Sequence, residues 1–205
     1  MQLRAENISF RYGKGDWILK DFNIELNQGE ILGLTGPSGC GKSTLAKILA
    51  GYERPLGGSV ELDSRSFPSK GFNPVQLVFQ HPEKAVNPRW QMHRILRESG
   101  CQDDSLYRSL GIEESWMKRW PNELSGGELQ RFCVARALTR QTKFLIADEM
   151  TTMLDAITQA QIWHVVLEYA KQNNMGVLVV SHENRLIERL CDRVVCLRDN
   201  AAGRT

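Results

Sequence analysis

With 205 residues, 41% hydrophobic and 24% charged, the chain is sized for one α/β domain with a useful core. A formal net charge of +2 gives no reason to expect a nucleic-acid partner. No apolar run approaches the ~18 residues a membrane helix needs, and the start, Met1-Gln2-Leu3-Arg4-Ala5-Glu6, has no signal-peptide core; a membrane is expected to be reached only through a partner.

Residues 2–10 alternate as a strand, and 11–16 make a turn. Residues 17–26 (WILKDFNIEL) alternate again, and Asn27-Gln28-Gly29 closes them as a hairpin-type turn. These first strands are expected to be antiparallel and half exposed. Residues 30–35 form a short apolar run that reads as a buried strand, and 45–50 have helical composition up to Gly51. Gly57-Gly58 reads as a turn into a strand over 59–63; 64–74 reads as irregular, and 75–79 as another buried strand. From 81 to 138 the chain is polar, broken and mostly helical, with pieces at 96–99, 105–110 and 115–120 and a longer helix from Ser125. Strand character returns at 143–147 and 176–180, with an amphipathic helix over 158–172 between them. Strands alternating with helices imply a parallel sheet with right-handed crossovers. The reading is a single domain, 1–205, whose core is 1–80 plus 139–205, with 81–138 inserted as a helical subdomain.

Four motifs carry chemistry. The first is Gly36-Pro37-Ser38-Gly39-Cys40-Gly41-Lys42-Ser43-Thr44, which fits the phosphate-binding G-x-x-x-x-G-K-[ST] loop between a strand and a helix. Its glycines let successive N–H groups point at one anion, and the helix start adds unpaired donors. Lys42 brings a full charge, and the Ser43 hydroxyl suits Mg²⁺. The second is Leu124-Ser125-Gly126-Gly127-Glu128. Ser125 caps a helix whose Gly126 and Gly127 expose amides to an anion; Ser125 with Glu128 is also an ordinary capping box, and both readings hold at once. The third is an apolar run ending in Asp148-Glu149, with Asp148 suited to Mg²⁺ and Glu149 to a water in line with a γ-phosphate. The fourth is Ser181-His182, which leaves the same sheet edge. The five cysteines match no zinc spacing and read as reduced thiols. Cys191 and Cys196 are expected to be packed, and Cys40, among the loop amides, to react with alkylating agents.

Together these residues resemble the ATP-binding-cassette (ABC) family of ATPases over essentially the whole chain. The resemblance implies an α/β fold of the P-loop NTPase (RecA-like) kind: a mainly parallel sheet core, N-terminal antiparallel β strands and an inserted α-helical subdomain. It implies ATP and Mg²⁺ as cofactors. Tyr12 resembles the aromatic residue that stacks on adenine, Gln80 the glutamine that reaches the metal and senses the transport partner, and Asp155 the aspartate of the D-loop. Asp148 and Glu149 resemble the Mg²⁺ aspartate and catalytic glutamate, and His182 the switch histidine. Catalysis is thus expected from Glu149, His182, Lys42 and Gln80, with metal ligands Ser43, Gln80 and Asp148. A head-to-tail dimer with a second ABC ATPase subunit would place Ser125, Gly126 and Gly127 over the other protomer's loop.

Val78-Phe79-Gln80-His81-Pro82, Val86-Asn87-Pro88-Arg89 and Ile95-Leu96-Arg97-Glu98 look like the ATPases of dipeptide, oligopeptide and nickel importers. Arg131-Phe132-Cys133-Val134-Ala135-Arg136-Ala137 and Leu186-Ile187-Glu188-Arg189 agree, and lean toward the nickel type. That likeness implies a subunit at the cytoplasmic face of the inner (cell) membrane. It would energise import of a nickel or metal chelate or a peptide, and would meet the permease through residues near 81–98. Pro82, Val86, Pro88, Trp90, Met92, Ile95 and Leu96 there read as the rim of a groove for a short permease helix, with Trp90 as anchor, or as an ordinary subdomain core. A soluble ABC ATPase of a non-transport complex, such as phosphonate degradation, is the other reading. The chain departs from the family at Thr152 and Met153 in the D-loop, in a short segment between Asp63 and Val75, and in ending soon after Arg198-Asp199.

Overall fold

The computed structural model describes residues 1–66 and 71–197. The chain opens with β1 (Gln2–Phe10) and β2 (Leu19–Asn27), which pair antiparallel around the turn at 11–18. It then enters β3 (Ile31–Thr35) and α1 (Lys42–Leu49), returns through β4 (Gly57–Leu62) and β5 (Arg65–Ser66), and continues into β6 (Val75–Val78). The broken stretch holds α2 (Met92–Glu98), α3 (Asp104–Ser109), α4 (Gly126–Ala137) and three short 3-10 turns. The last third alternates: β7 (Phe144–Asp148), α5 (Ala156–Asn173), β8 (Gly176–Val180), α6 (Asn184–Leu190) and β9 (Arg193–Cys196).

Two sheets result. One is antiparallel, ordered β2-β1-β4-β5; the other is parallel, ordered β6-β7-β8-β3-β9. Inside the parallel sheet β3, β7 and β8 are covered on both faces, which is why they are largely continuous apolar runs rather than alternating ones. The period of two still operates inside them. Phe144, Ile146, Leu178 and Val180 pack with Leu34, Leu45 and Ile48 of β3 and α1 and with Leu3 and Ile8 of the antiparallel sheet. Leu145, Ala147, Val177 and Val179 face a second core built with Phe132 of α4, Ile162 and Trp163 of α5, and Met92, Ile95 and Leu96 of α2. The described helices of 81–138 thus share a core with one face of the sheet.

Four local expectations change. The turn at 27–29 is no hairpin, because β2 pairs with β1 and β3 lies in the other sheet. The hairpin turn is the one before it, where the Ile18 N–H donates to the Phe10 carbonyl at 2.9 Å. Gly57 and Gly58 lie inside β4 rather than in a turn. Gly58 has φ +82°, and a Cβ there would come within 2.1 Å of the Glu6 carbonyl, beside a register shift in β1. The pair marks a bulge, which a glycine doublet does not distinguish from a turn. Within 64–74, Arg65–Ser66 forms β5, and 67–70 lie outside the described residues, as do Arg198 and Asp199. Of the helical piece at 115–120, only a 3-10 turn at Glu114–Trp116 forms.

Candidate nucleotide site

The fold places the motifs by ending its strands together. β3, β6, β7 and β8 run parallel and finish at Thr35, Val78, Asp148 and Val180. The next residues along are Gly36, Phe79-Gln80, Glu149 and Ser181-His182. Residues scattered over the sequence therefore meet at the carboxyl edge of one sheet, where such folds bind ligands.

The glycine loop has the backbone its composition demands. Gly36, Gly39 and Gly41 have φ of 150°, 83° and 104°. A Cβ on Gly36 would lie 2.3 Å from the Leu197 carbonyl, and one on Gly41 2.7 Å from Ile18. Pro37, Ser38 and Gly39 form the exposed crest, and Cys40 beneath it is buried. This burial overturns the expected reactivity of Cys40. Gly41 begins α1 with no side-chain cap and no acidic residue in its first turn, leaving the N–H groups of that turn for an anion. Lys42 is buried, and its Nζ donates to the carbonyls of Gly36 (2.8 Å) and Pro37 (2.9 Å). Thr44 is half-buried on the same turn.

Ser43 Oγ donates to Asp148 Oδ1 over 3.0 Å, across 105 residues of sequence. Burial pushes the Asp148 carboxyl above its ordinary value; the Ser43 bond, Lys47 and Lys42 oppose this, and the neighbouring Glu149 adds to it. Two hard oxygen donors beside a phosphate cradle are the donor set Mg²⁺ prefers.

Glu149 follows at φ +49°, a left-handed conformation that costs a non-glycine residue about 1–3 kcal/mol. Its N–H donates to the Val180 carbonyl at 3.0 Å. Both carboxylate oxygens are engaged: Oε2 accepts from Gln80 Nε2 at 3.0 Å, and Oε1 lies 3.3 Å from His182 Nδ1. The Gln80 amide nitrogen therefore faces Glu149, and its carbonyl oxygen is the atom left for a metal. The His182 side chain is 61% exposed. Tyr12 sits in the turn between β1 and β2, edge-on to Phe10 (centroids 4.9 Å, 89°) and half exposed. Ile18, at the end of that turn, packs on Gly41, so the turn borders the glycine loop.

The second anion motif opens α4. Ser125 caps α4, accepting from the Glu128 N–H at 3.3 Å while Glu128 accepts from the Ser125 N–H at 2.7 Å. Gly126 is exposed; a Cβ on Gly127 would lie 3.4 Å from Leu154. Among the described residues, the hydrogen bonds of Ser125 run to Glu128 and Leu129, none to the glycine loop. Asp155 caps α5, accepting from the N–H groups of Ile157 and Thr158 at 3.0 Å each. Sequence reasoning missed two polar anchors. Buried Gln130 donates from Nε2 to the Phe79 carbonyl at 3.2 Å, tying α4 to the residue before Gln80. Thr151 accepts side-chain bonds from α5. Gln130 is signalled only by being an amide among apolar helix residues.

Strand, glycine loop and helix at the carboxyl edge of a parallel sheet make this a P-loop nucleoside-triphosphatase fold. More narrowly, the chain belongs to the ABC transporter ATPases: the family model described as ABC transporter matches residues 19–152. The Nickel import system ATP-binding protein NikE of Staphylococcus aureus is 34% identical over 210 residues, covering 96% of this chain and 87% of that protein. Two solved structures match at TM-score 0.81 and 24% identity, each covering 96% of this chain and 94% of its own. One is a dimeric bacterial ABC transporter cassette; the other is a dimeric cassette in a post-hydrolysis state, bound to ADP and phosphate.

Proposed function

We propose that this chain is the ATP-hydrolysing subunit that energises import of a solute, nickel, a metal chelate or a peptide, through a membrane permease. The observation that carries the hydrolytic part is Glu149, held between Gln80 and His182 beside the Ser43–Asp148 pair. The branch rests on the nickel-import relative. Residues 1–80 and 139–205 form the nucleotide-binding core, and 81–138 the helical subdomain.

Phosphoryl transfer to water is mostly positioning and charge neutralisation. Lys42 and the amides of residues 36–44 hold the phosphates. Tyr12 stacks on adenine, worth about 1–3 kcal/mol by analogy with base–aromatic stacking. Mg²⁺ held by Ser43, Asp148 and Gln80 neutralises triphosphate charge when bound. Glu149 takes the proton of the attacking water, and His182, already placed by Glu149 through Nδ1, uses Nε2 on the γ-phosphate. Ser125, Gly126 and Gly127 serve the nucleotide of a second cassette in a head-to-tail dimer, and Asp155 lies on the loop facing that protomer.

The permease surface needs revision from the sequence reading. Met92, Ile95 and Leu96 are buried in the core, so they cannot form a groove rim. Val86 and Trp90 remain half-buried, with Arg94 stacked 4.2 Å from the Trp90 ring centroid. Tyr52 and Leu56 are each 61% exposed, and Tyr52 packs edge-on against Phe79, next to Gln80. Tyr52 thus lies against the neighbour of the residue that touches Glu149, and we assign it, with Leu56, Val86 and Trp90, to the permease at the cytoplasmic face of the membrane.

Trp90→Ala should keep the fold and basal ATPase while lowering radiolabelled nickel uptake and permease co-purification, and Val86→Cys should crosslink to a cytoplasmic permease loop. Full uptake in Trp90→Ala with no crosslink would place the docking surface elsewhere. Uptake of peptides but not nickel would narrow the solute to the peptide.

A further inference from the structure

The loop between β7 and α5 carries Glu149 at one end and Asp155 at the other. Two short turns shape it: the Thr152 N–H donates to the Glu149 carbonyl at 3.2 Å, and the Leu154 N–H to the Thr151 carbonyl at 3.0 Å. Its middle is pinned from one side. Thr151 is buried, and its hydroxyl oxygen accepts from Trp163 Nε1 at 3.0 Å and from Gln159 Nε2 at 3.1 Å. Gln159 and Trp163 are four residues apart and share one face of α5. Trp163 and Met150 are buried in the same core. The helix therefore holds the loop twice, through the Asp155 cap at its start and through Thr151 two turns along.

Glu149 cannot aim itself. Its backbone sits at φ +49°, and it is followed directly by the turn that Thr151 anchors. Movement of Thr151 would pass into the Glu149 carbonyl through Thr152, and into Asp155 through Leu154. We propose that Thr151 and Trp163 are a positioning pair for hydrolysis. They set the aim of Glu149 in this chain's own site and, along the same loop, the presentation of Asp155 to a second protomer. This rests on the assignment of Glu149 as the base. Neither residue is placed to touch nucleotide. Removing the bond should act on turnover and leave ATP binding alone.

Thr151→Val keeps the shape and loses the acceptor; Trp163→Phe keeps a ring and loses the N–H; Thr151→Ser keeps the hydroxyl. ATP affinity, KM, kcat and thermal midpoint are measured for each, with Glu149→Gln alongside. The expected result is a kcat lowered roughly 10- to 100-fold in Thr151→Val and Trp163→Phe, with ATP affinity and KM unchanged. Thr151→Ser should recover most of the rate, and the double variant should be no slower than the slower single one. If either variant fails to fold, Gln159→Met, at a half-exposed position, removes the second donor and should lower kcat in the same direction. Wild-type kcat with only a lowered midpoint would make the bond purely structural and overturn the proposal. Normal turnover in Glu149→Gln would overturn the base assignment itself, and the positioning role with it.

Discussion

Gln80 Nε2 and Glu149 Oε2 are 3.0 Å apart, so the residue that leads from the sheet into the helical segment holds the carboxylate at the end of β7. One side chain therefore links the region assigned to the permease with the base assigned to hydrolysis. Displacing Gln80 would free one carboxylate oxygen while His182 still holds the other.

Glu149→Gln keeps the size of the side chain and removes its basicity. Loss of a positioned base costs roughly 10²–10⁴-fold in rate, while the glycine loop and Lys42 are untouched. The variant should bind ATP with normal affinity, turn over hardly at all, and accumulate as an ATP-bound dimer in size-exclusion chromatography. Turnover near that of the wild type would remove Glu149 from the mechanism.

Asp148 gives a stability prediction with a definite sign. Burial raises its folded-state pKa above the unfolded value. Between the two values the folded state binds more protons, so stability falls as pH rises through that window and the penalty is complete above it. Without divalent cations, Asp148→Asn should therefore melt higher than wild type at pH 7, and the gap should close as pH falls through the folded pKa. The same variant should lose Mg²⁺-dependent turnover. A variant melting lower than wild type at pH 7, by the same margin at every pH, would contradict the burial argument.

The thiols separate by environment. Burial pushes Cys133 up to about 12 and Cys191 up to about 11, and it raises Cys101 as well. Cys196, on the edge strand β9, is exposed, against the packing expected for it. A thiol reagent at pH 8 should label Cys196 quickly in the native protein and Cys40, Cys101 and Cys133 only after unfolding. Mass spectrometry reads the order directly; equal labelling of Cys133 and Cys196 would contradict it.

Most of this site is legible in the chain because its parts are local. Residues 36–44 carry their own turn chemistry, and Asp148-Glu149 and Ser181-His182 each end an apolar run long enough to read as a buried strand. The sequence does not show contacts between distant segments. Gln80 meets Glu149 only because β6 and β7 are neighbours, and Ser43 meets Asp148 only because α1 starts beside the end of β7. The Thr151–Trp163 bond looks in sequence like a loop hydroxyl and a core tryptophan. Gly57-Gly58 was misplaced because a bulge and a turn ask the same thing of a glycine. Met92, Ile95 and Leu96 were misplaced because apolar side chains at helical spacing look alike whether they line a groove or fill a core.

Two anion motifs lie in one chain, and among the described residues no hydrogen bond joins Ser125 to the glycine loop, which points to a composite site. In the proposed head-to-tail dimer, Lys42→Ala would disable the glycine loop of its own protomer, and Ser125→Arg the Leu124–Glu128 motif offered to the partner. Alone, the first should lose ATP affinity and the second should bind ATP but not hydrolyse it. A mixed dimer of the two has one site carrying both defects and one carrying neither. The decisive measurement is ATPase activity on mixing the inactive variants. Recovery is expected, approaching one functional site in each mixed dimer. Dimers that form at every ratio and stay inactive, together with a Ser125→Arg protomer that has lost ATP binding, would place Ser125 in its own chain's site and contradict it.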